Sequence, residues 1–441
     1  MSGSGSKRGF VVLGAVLIQL CLGAIYAWSV FTPELEDAGW SKTQTQIVFS
    51  LGLAMFAISM VWAGRKLPTY GPQKLAIAGG ITLGLGYAVA ALGGGDTFWI
   101  VLIGVGLIGG TGIGLGYVVP IAVGMRWFPD RKGMISGAAV AGFGFGALGW
   151  VKIAGSWGNL LDNIGLDGTF LVYGIAFAIL VLIGSIWMKM PPEGWVPEGY
   201  VAPEAVAGSG GDNFEAREML RTPQFYLIFF TFTVSAGAGL MAIGLMKLWP
   251  VEALVDGGML EADADAIAGT AMAVFFSLAN GIGRITWGVL SDKLGRKLSV
   301  VTMAATQAVL LLAFIPMAGS EYSLYLAATL IGFNFGGNFA LFPAFTADEF
   351  GDAAVGQNYP YVFLSYGVGG TIFPILGGAL GDAGNFPIAF VICAVACAFG
   401  AVAAALVFPP SKDAASEPFT WKGFIANANI GNRSKKASAS V

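Results

Sequence analysis

The stretch LANGIGRITWGVLSDKLGRK, residues 278–297, joins an apolar helical pattern to a short loop that is dense in charge. One permanently charged side chain, Arg284, falls inside the apolar part, eight residues before Asp292 of the loop. At ~1.5 Å per residue, Arg284 lies about 12 Å deeper than the loop, and half of a membrane's hydrocarbon core is ~15 Å. If the stretch spans a membrane, the guanidinium reaches its middle, where a charge normally faces a cavity or a partner.

The composition of the whole chain indicates an integral membrane protein. Of its 441 residues, 56% are hydrophobic and 11% are charged, and the mean hydropathy is +0.74. A soluble domain carries ~25% charged residues. The 67 glycines suit helices that pack closely in lipid through small residues. The net charge of −3 says little about partners, and nothing in the composition favours a nucleic acid.

Twelve stretches are long and apolar enough to cross a bilayer as helices, which need ~20 residues. Their lengths do not fit the short alternating strands of a membrane barrel. The fold class predicted is an all-α membrane protein with twelve spans at 9–31, 44–64, 73–93, 98–124, 134–157, 168–189, 224–247, 267–290, 298–317, 322–346, 357–381 and 386–408.

A long polar segment divides these spans into two sets of six. Residues 190–223 are rich in Pro, Gly, Glu and Ser, which is typical of a linker. The predicted organisation is a six-helix bundle at 1–189, a cytoplasmic linker at 190–223, a second bundle at 224–411 and a cytoplasmic tail at 412–441.

Matching residues in the two sets indicate an internal duplication. Gly64 and Gly71 recur as Gly288 and Gly295, at an offset of 224 residues. A second group, at an offset of 223, pairs Pro120, Gly133, Gly144 and Gly146 with Pro343, Gly356, Gly367 and Gly369. Two pseudo-symmetric bundles place a substrate site between them, near the membrane midplane.

The basic residues predict the orientation of the chain. With both termini inside, 19 of the 23 lysines and arginines fall on the cytoplasmic side. The other four are Lys42, Lys152, Lys247 and Arg284. We therefore expect a multi-pass protein of the cell inner (plasma) membrane with cytoplasmic termini.

No acidic residue lies well inside any predicted span, so the protein offers Arg284 no evident counter-charge. Asn280, one turn earlier, shares its helix face. Arginine presents a planar fork of donors that matches a carboxylate. The pattern favours an anchor for an anionic ligand; the alternative is a structural arginine bonded to backbone carbonyls.

The loop GVLSDKLGRK has the spacing of the loop motif of the major facilitator superfamily. Its glycines, Gly288 and Gly295, are expected to permit close helix approach and a tight turn. Asp292 is expected to sit at a helix N-terminus or to pair with a neighbouring base, and so to latch the cytoplasmic side, and the motif also includes the bases Lys293 and Arg296. These five residues are the predicted gating set.

Further pieces make the resemblance more specific. The chain resembles the oxalate/formate antiporter branch of that superfamily, a near relative of the monocarboxylate transporters. The pieces include GAIYAWSVF (23–31), RWFPDRKG (126–133), NGIGRITWGVLSDKLGR (280–296), GGNFALFP (336–343) and NYPYVFLSYG (358–367).

The resemblance implies a site in which two basic residues hold the substrate inside an aromatic box. The first base falls on Arg284, whereas the second, a lysine of the eleventh span, falls on Tyr366. The aromatic positions fall on Tyr26, Tyr117, Phe143, Phe335 and Phe339. Together with Asn280, these are the predicted substrate-binding residues.

The loss of the second base favours a singly charged substrate. A dianion would bring a second charge without a partner into a low-dielectric cavity, at a cost of about several kcal/mol. We expect a secondary transporter of small monocarboxylates of the lactate, pyruvate, formate or acetate class. The alternatives are an oxalate/formate-type dicarboxylate antiporter and, from another class, a carboxylate receptor that does not transport.

The sequence does not decide whether the coupling ion is a proton or a counter-anion, so symport and antiport are both kept as alternatives. In animal monocarboxylate carriers an aspartate precedes the arginine by one turn, where this chain has Asn280, and the chain contains no His. The three cysteines, Cys21, Cys393 and Cys397, lie in apolar stretches and suggest no metal site. No catalytic pairing, cofactor site or nucleic-acid site is evident, so we expect a monomeric carrier rather than an enzyme.

Overall fold

The structure is a computed structural model that describes residues 3–128, 132–192, 195, 197, 213–351 and 355–410. Across these residues it is helical, with twelve helices long and apolar enough to span a membrane. We number them α1 (Arg8–Val30), α2 (Lys42–Tyr70), α3 (Pro72–Leu92), α4 (Phe98–Gly124), α5 (Gly137–Ala154), α6 (Leu160–Ser185), α7 (Pro223–Leu245), α8 (Glu261–Leu294), α9 (Arg296–Met317), α10 (Glu321–Phe350), α11 (Gln357–Asp382) and α12 (Phe386–Ala405).

The predicted fold class and its twelve spans are confirmed. The main difference is length, since α6 begins at Leu160 and α8 at Glu261, each several residues before the predicted start. Short helices at Thr32–Asp37, Ala216–Met219 and Leu248–Asp256 lie outside the spans. Most of the predicted linker and all of the predicted tail lie outside the described residues, so the domain boundaries stay predictions.

The two sets of six helices pack in the same pattern. α1 packs on α5, α2 on α4 and α3 on α6, and the equivalent contacts recur between α7 and α11, α8 and α10, and α9 and α12. We call α1–α6 the N-half and α7–α12 the C-half. The halves meet where α2 crosses α11 and where α5 crosses α8.

The duplicated loops share one backbone conformation. Gly71, which ends α2, has φ 78° and ψ 157°, and Gly295, which ends α8, has φ 86° and ψ 147°. A positive φ is strained for other residues, so glycine is needed at both turns. We call the side of the molecule where α2 begins the Lys42 face, and the side where α9 begins the Arg296 face.

The outward surface of the bundle is apolar, as a lipid-facing surface must be. On α6, Leu171, Ile175, Ile179 and Leu182 are exposed at helical spacing, while Phe177 on the opposite side is fully buried. In water such a surface would be an aggregation hazard. The arrangement fits a multi-pass membrane protein.

Three helices depart from regular α-geometry near the centre. α1 tightens to a 3₁₀ segment at Gly23–Val30, while α4 and α8 widen to π segments at Leu102–Gly109 and Ala271–Phe276. A π segment changes the direction of the side chains that follow it and often marks a functional site. The segment in α8 ends one turn before Asn280.

Glycines let three helices approach closely in the same layer. A Cβ on Gly23 of α1 would lie 2.2 Å from the carbonyl oxygen of Phe143 in α5. A Cβ on Gly144 of α5 would lie 3.0 Å from the backbone nitrogen of Gly281 in α8. Real side chains do not tolerate the first distance, so these contacts bring α1, α5 and α8 together around Arg284.

Candidate functional site

Arg284 is fully buried, and two of its three guanidinium nitrogens have no hydrogen-bond partner. Its Nε donates to Oδ1 of Asn280 at 3.1 Å. Nη1 and Nη2 have no hydrogen-bond partner, and the same is true of Nδ2 of Asn280. Among the described residues no acidic side chain forms an ion pair with Arg284. The site therefore presents unpaired donors that fit the oxygens of an anion.

Aromatic rings from both halves cover the guanidinium. Its central carbon lies 3.9 Å from the ring centre of Phe339 in the C-half and 5.6 Å from that of Phe143 in the N-half. A desolvated cation over an aromatic face gains ~2 kcal/mol or more. This attraction offsets part of the cost of burying the charge but leaves the Nη donors free.

The N-half contributes Tyr26, Tyr117 and Phe143. The rings of Tyr26 and Phe143 are 5.0 Å apart, and those of Tyr117 and Phe143 are 5.3 Å apart. Both phenols lie next to the guanidinium and interact with it electrostatically and through weak side-chain hydrogen bonding, while Nη1 and Nη2 have no partner in full hydrogen-bond geometry. Their phenols thus border the same space as the guanidinium.

The C-half contributes Phe335, Phe339 and Tyr366. Phe335 contacts Phe339 at 5.3 Å between ring centres, and Phe339 contacts Tyr366 at 5.6 Å. The ring of Tyr26 reaches across to Phe335 at 5.7 Å. All eight residues predicted to bind substrate therefore lie in one cluster.

A hydrogen bond joins the halves at the centre of this cluster. The hydroxyls of Tyr26 on α1 and Tyr366 on α11 are 3.0 Å apart. Tyr366 occupies the position where the resemblance placed a second base, and α11 contains no lysine or arginine. A neutral phenol thus replaces the second positive charge.

The cluster is sealed from water in this conformation. Each of the eight residues is at most 2% exposed. Since the halves contact one another on both sides of the cluster, the structure represents a closed, occluded arrangement. One face must open before a solute can enter.

Two members of the cluster were missed by the sequence analysis. The ring of Phe56 on α2 lies 4.9 Å from that of Tyr117 and 5.5 Å from that of Tyr366. Phe363 on α11 stacks on Tyr366 at 4.8 Å and contacts Phe56 at 5.1 Å. The only signal for Phe363 was its spacing of three residues from Tyr366, and Phe56 resembled any core residue of α2.

The predicted gating loop forms an ionic network. Arg296 pairs with Asp292 and, at 3.7 Å, with Asp348, and it also donates to the hydroxyl of Ser291. These partners lie on α8 and α10, so the network of Arg296 ties helices of the C-half together. The expectation that Asp292 pairs with a neighbouring base is met, but its pair does not join the two halves.

The remaining residues of the predicted gating set, Gly288, Lys293 and Gly295, differ in their contacts and exposure. Gly295 forms the expected tight turn. The expectation of close helix approach at Gly288 is wrong, since a Cβ there would meet Ala340 at 3.7 Å, an ordinary contact. Lys293 is exposed.

Comparisons with known proteins identify the family of the chain. The Major Facilitator Superfamily pattern matches residues 11–256 and 259–437. The chain is 26% identical to the oxalate:formate antiporter of Oxalobacter formigenes, with 92% of each chain covered. It is 26% identical to the apicoplast pyruvate carrier 1 of Toxoplasma gondii, with 80% of each chain covered.

One solved structure supports the fold alone. A variant of the E. coli fucose:proton symporter FucP superposes with a TM-score of 0.61 at 15% sequence identity. The match covers 90% of this chain and 98% of that chain.

Proposed function

Because the chain belongs to the major facilitator superfamily, we propose that it transports small monocarboxylates by alternating access, with Arg284 as the carboxylate anchor. The observation that carries the proposal is the fully buried guanidinium whose Nη1 and Nη2 have no partner. A buried, unpaired charge is costly unless a ligand completes it. A carboxylate supplies two oxygens at the spacing of these two donors.

The charge of the cluster favours a monoanion. Arg284 is its one positive charge, and Tyr366 stands where a second base would neutralise a dianion. The two relatives compared above are named for oxalate, formate and pyruvate, all of them small carboxylates. Within that chemical class, the single base supports lactate, pyruvate, formate or acetate rather than oxalate.

The hydroxyls of Tyr26 and Tyr366 support a role in recognising the part of the substrate beyond its carboxylate. The phenols of Tyr26 and Tyr366 are 3.0 Å apart and border the space beside Arg284. A 2-oxo or 2-hydroxy group on a carboxylate held by Arg284 would replace this bond. We therefore expect lactate and pyruvate to bind better than acetate.

Alternating access follows from where the contacts between the halves lie. The guanidinium of Arg284 belongs to the C-half and lies against Phe143 of the N-half. An anion bound between them bridges both halves and stabilises the closed state relative to either open state. The concentration of basic residues supports the Arg296 face as the cytoplasmic one.

The coupling is proposed to be anion exchange, since the cluster offers no obvious proton carrier. Asn280 cannot ionise, and the chain contains no His. Exchange requires an anion on the opposite side of the membrane, whereas proton symport acidifies the lumen during uptake. A pH indicator inside the liposomes distinguishes the two.

Uptake by the purified protein in liposomes tests the anchor. Wild type, Arg284→Gln and Lys152→Gln are compared with labelled lactate, pyruvate, formate, acetate and oxalate. Arg284→Gln should lose anion uptake by at least about a hundredfold, since the charge pair is worth about 3–5 kcal/mol when one partner is removed. Lys152→Gln removes another intramembrane charge and should retain anion uptake. Full uptake by Arg284→Gln would refute the proposal.

A positive charge introduced at position 366 tests the substrate class. Tyr366→Lys restores the second base and should raise oxalate uptake relative to lactate by about tenfold or more, while Tyr366→Phe should leave that ratio low. Equal uptake of oxalate and lactate by wild type would contradict the monoanion assignment.

A further inference from the structure

On the Lys42 face, a carboxylate of the C-half caps a helix of the N-half. Asp382, at the end of α11, accepts hydrogen bonds from the backbone nitrogen of Lys42 at 2.9 Å and from that of Thr43 at 3.1 Å. It also accepts from the hydroxyl of Thr43. These first N–H groups of α2 have no partner within their own helix. A carboxylate satisfies them and interacts favourably with the positive helix end.

The side chain of Lys42 strengthens the same junction. Its Nζ forms an ion pair with Glu252, on the short helix after α7, and lies 5.0 Å from the ring centre of Phe386 on α12. One turn deeper, Nε2 of Gln46 donates to the carbonyl of Gly244 on α7 at 3.2 Å. The beginning of α2 is therefore bound to several elements of the opposite half.

Glu36 lies against this junction, on the short helix after α1. Its Oε1 is buried and has no hydrogen-bond partner. Burial raises the pKa of the Glu36 carboxyl to about 7; Lys42 opposes the shift, while Asp382, Glu252 and Asp37 add to it. These are the charged groups that face Glu36.

We propose that Asp382, Lys42 and Glu252 form a latch that holds the Lys42 face closed, and that a proton on Glu36 tightens it. One ammonium faces several carboxylates from both halves, so the closed latch carries excess negative charge. A proton on Glu36 removes the cost of burying its charge and the repulsion by Asp382 and Glu252, which together outweigh the lost attraction to Lys42. This proposal depends on the alternating-access part of the proposed function and does not depend on which substrate is transported.

The direction of the pH effect follows from linkage. Burial in the closed state raises the pKa of Glu36 from its ordinary value of 4.5 to about 7, so the closed state binds the proton more tightly than a state in which this carboxyl is hydrated. Stabilisation of the closed state is complete below the ordinary value and is lost as the pH rises through about 7. Between these limits, each pH unit changes the ratio of closed to open molecules by up to about tenfold.

The test measures the opening of the Lys42 face without any substrate. Spin labels on cysteines introduced at the exposed positions Asn163 and Ala262, one in each half, report the distance across this face. The native cysteines are buried, so the labels go to the introduced sites. On going from about pH 8 to about pH 5.5, the ratio of closed to open molecules should rise by about tenfold.

Four variants assign the effect. Glu36→Gln should be closed at both pH values, whereas Asp382→Ala should be more open at both. Glu34→Gln, on the same short helix but with an exposed carboxyl, should respond as wild type does. Glu252→Gln should also open the face, and it provides a second test of the latch if Asp382→Ala fails to fold.

Distances that do not change with pH in wild type, or a full pH response in Glu36→Gln, would overturn the proton effect. A closed face in both Asp382→Ala and Glu252→Gln would overturn the latch. Because the distances are measured without substrate, a failure to transport carboxylates would leave this test intact.

Discussion

The two faces of the protein use charge differently. On the Lys42 face, the ion pair between Lys42 and Glu252 and the helix cap by Asp382 join the N-half to the C-half. On the Arg296 face, the partners of Arg296 are Asp292 and Asp348, all in the C-half. Among the described residues, ion pairs therefore join the halves on the Lys42 face, whereas those of Arg296 stay inside the C-half and the halves are joined there by Arg65 of α2, which lies 5.1 Å from the ring centre of Tyr361 on α11.

The halves also meet at the level of the site and on its Arg296 side, where small residues pack closely. A Cβ on Gly367 of α11 would lie 2.6 Å from the Cβ of Ala57 in α2. A Cβ on Gly137 of α5 would lie 3.8 Å from the Cα of Ile285 in α8. Opening the Lys42 face must break polar bonds as well as close packing, since a Cβ on Gly378 of α11 would lie 3.0 Å from the carbonyl oxygen of Lys42, whereas opening the Arg296 face must separate packed surfaces and the contact of Arg65 with Tyr361. Changes of pH and salt should act mainly on the first.

Among changes at the contacts between the halves, the largest effect is expected where two rigid Cβ atoms would collide. Gly367→Ala places two Cβ atoms in conflict, and neither can rotate away, so α2 and α11 must move apart. Overpacking costs about 1–3 kcal/mol, which predicts a loss of transport of roughly tenfold or more. Gly288→Ala adds the same methyl group where it makes an ordinary contact and should transport as wild type does. Equal transport by both variants would show that close packing does not hold the halves together.

An intermediate effect is expected at the latch. Lys42→Met removes an ion pair between the halves, whereas Lys247→Met removes the pair with Asp265 at 2.6 Å inside the C-half. A partly exposed pair contributes about 0.2–1 kcal/mol, so Lys42→Met should open the Lys42 face up to about fivefold more. In the Lys247→Met variant, the Lys42 face should stay as closed as in wild type. Spin-label distances across the Lys42 face measure the opening in both variants. High salt screens the ion pair and should therefore have the same effect as Lys42→Met.

The smallest effect on the balance between open states is expected at the Arg296 loop. Asp292→Asn weakens a network inside one half, so it should lower the melting temperature slightly and leave the distance across the Lys42 face unchanged. A shift of that distance comparable to the Lys42→Met shift would show that the Arg296 network also connects the halves.

The sequence alone predicted the site better than the latch. Arg284 was found because a charge in an apolar helix is costly, and Asn280 because it lies one helical turn away. The aromatic residues came from the resemblance, which assigned Tyr26 and Tyr366 to one site but did not predict the bond between their hydroxyls.

Other contacts depend on which helices meet, and no local pattern contains that information. Asp382 binds the start of α2 across 340 residues of sequence, and both ends are ordinary polar helix ends in the sequence. The π segment at Ala271–Phe276 likewise has an unremarkable apolar sequence, although it directs the helix face that carries Arg284. Gly288 shows the opposite error, since its place in a loop motif suggested a close contact that the fold does not make.

The central claim is that the free donors of Arg284 bind the carboxylate of the substrate. Equilibrium binding of pyruvate and of its uncharged amide, measured on purified wild type and Arg284→Gln, tests it most directly. We predict that pyruvate binds wild type and that its affinity falls at least about a hundredfold in Arg284→Gln, while the amide binds both proteins weakly. Binding of pyruvate to Arg284→Gln with wild-type affinity, or equal binding of acid and amide to wild type, would contradict the account.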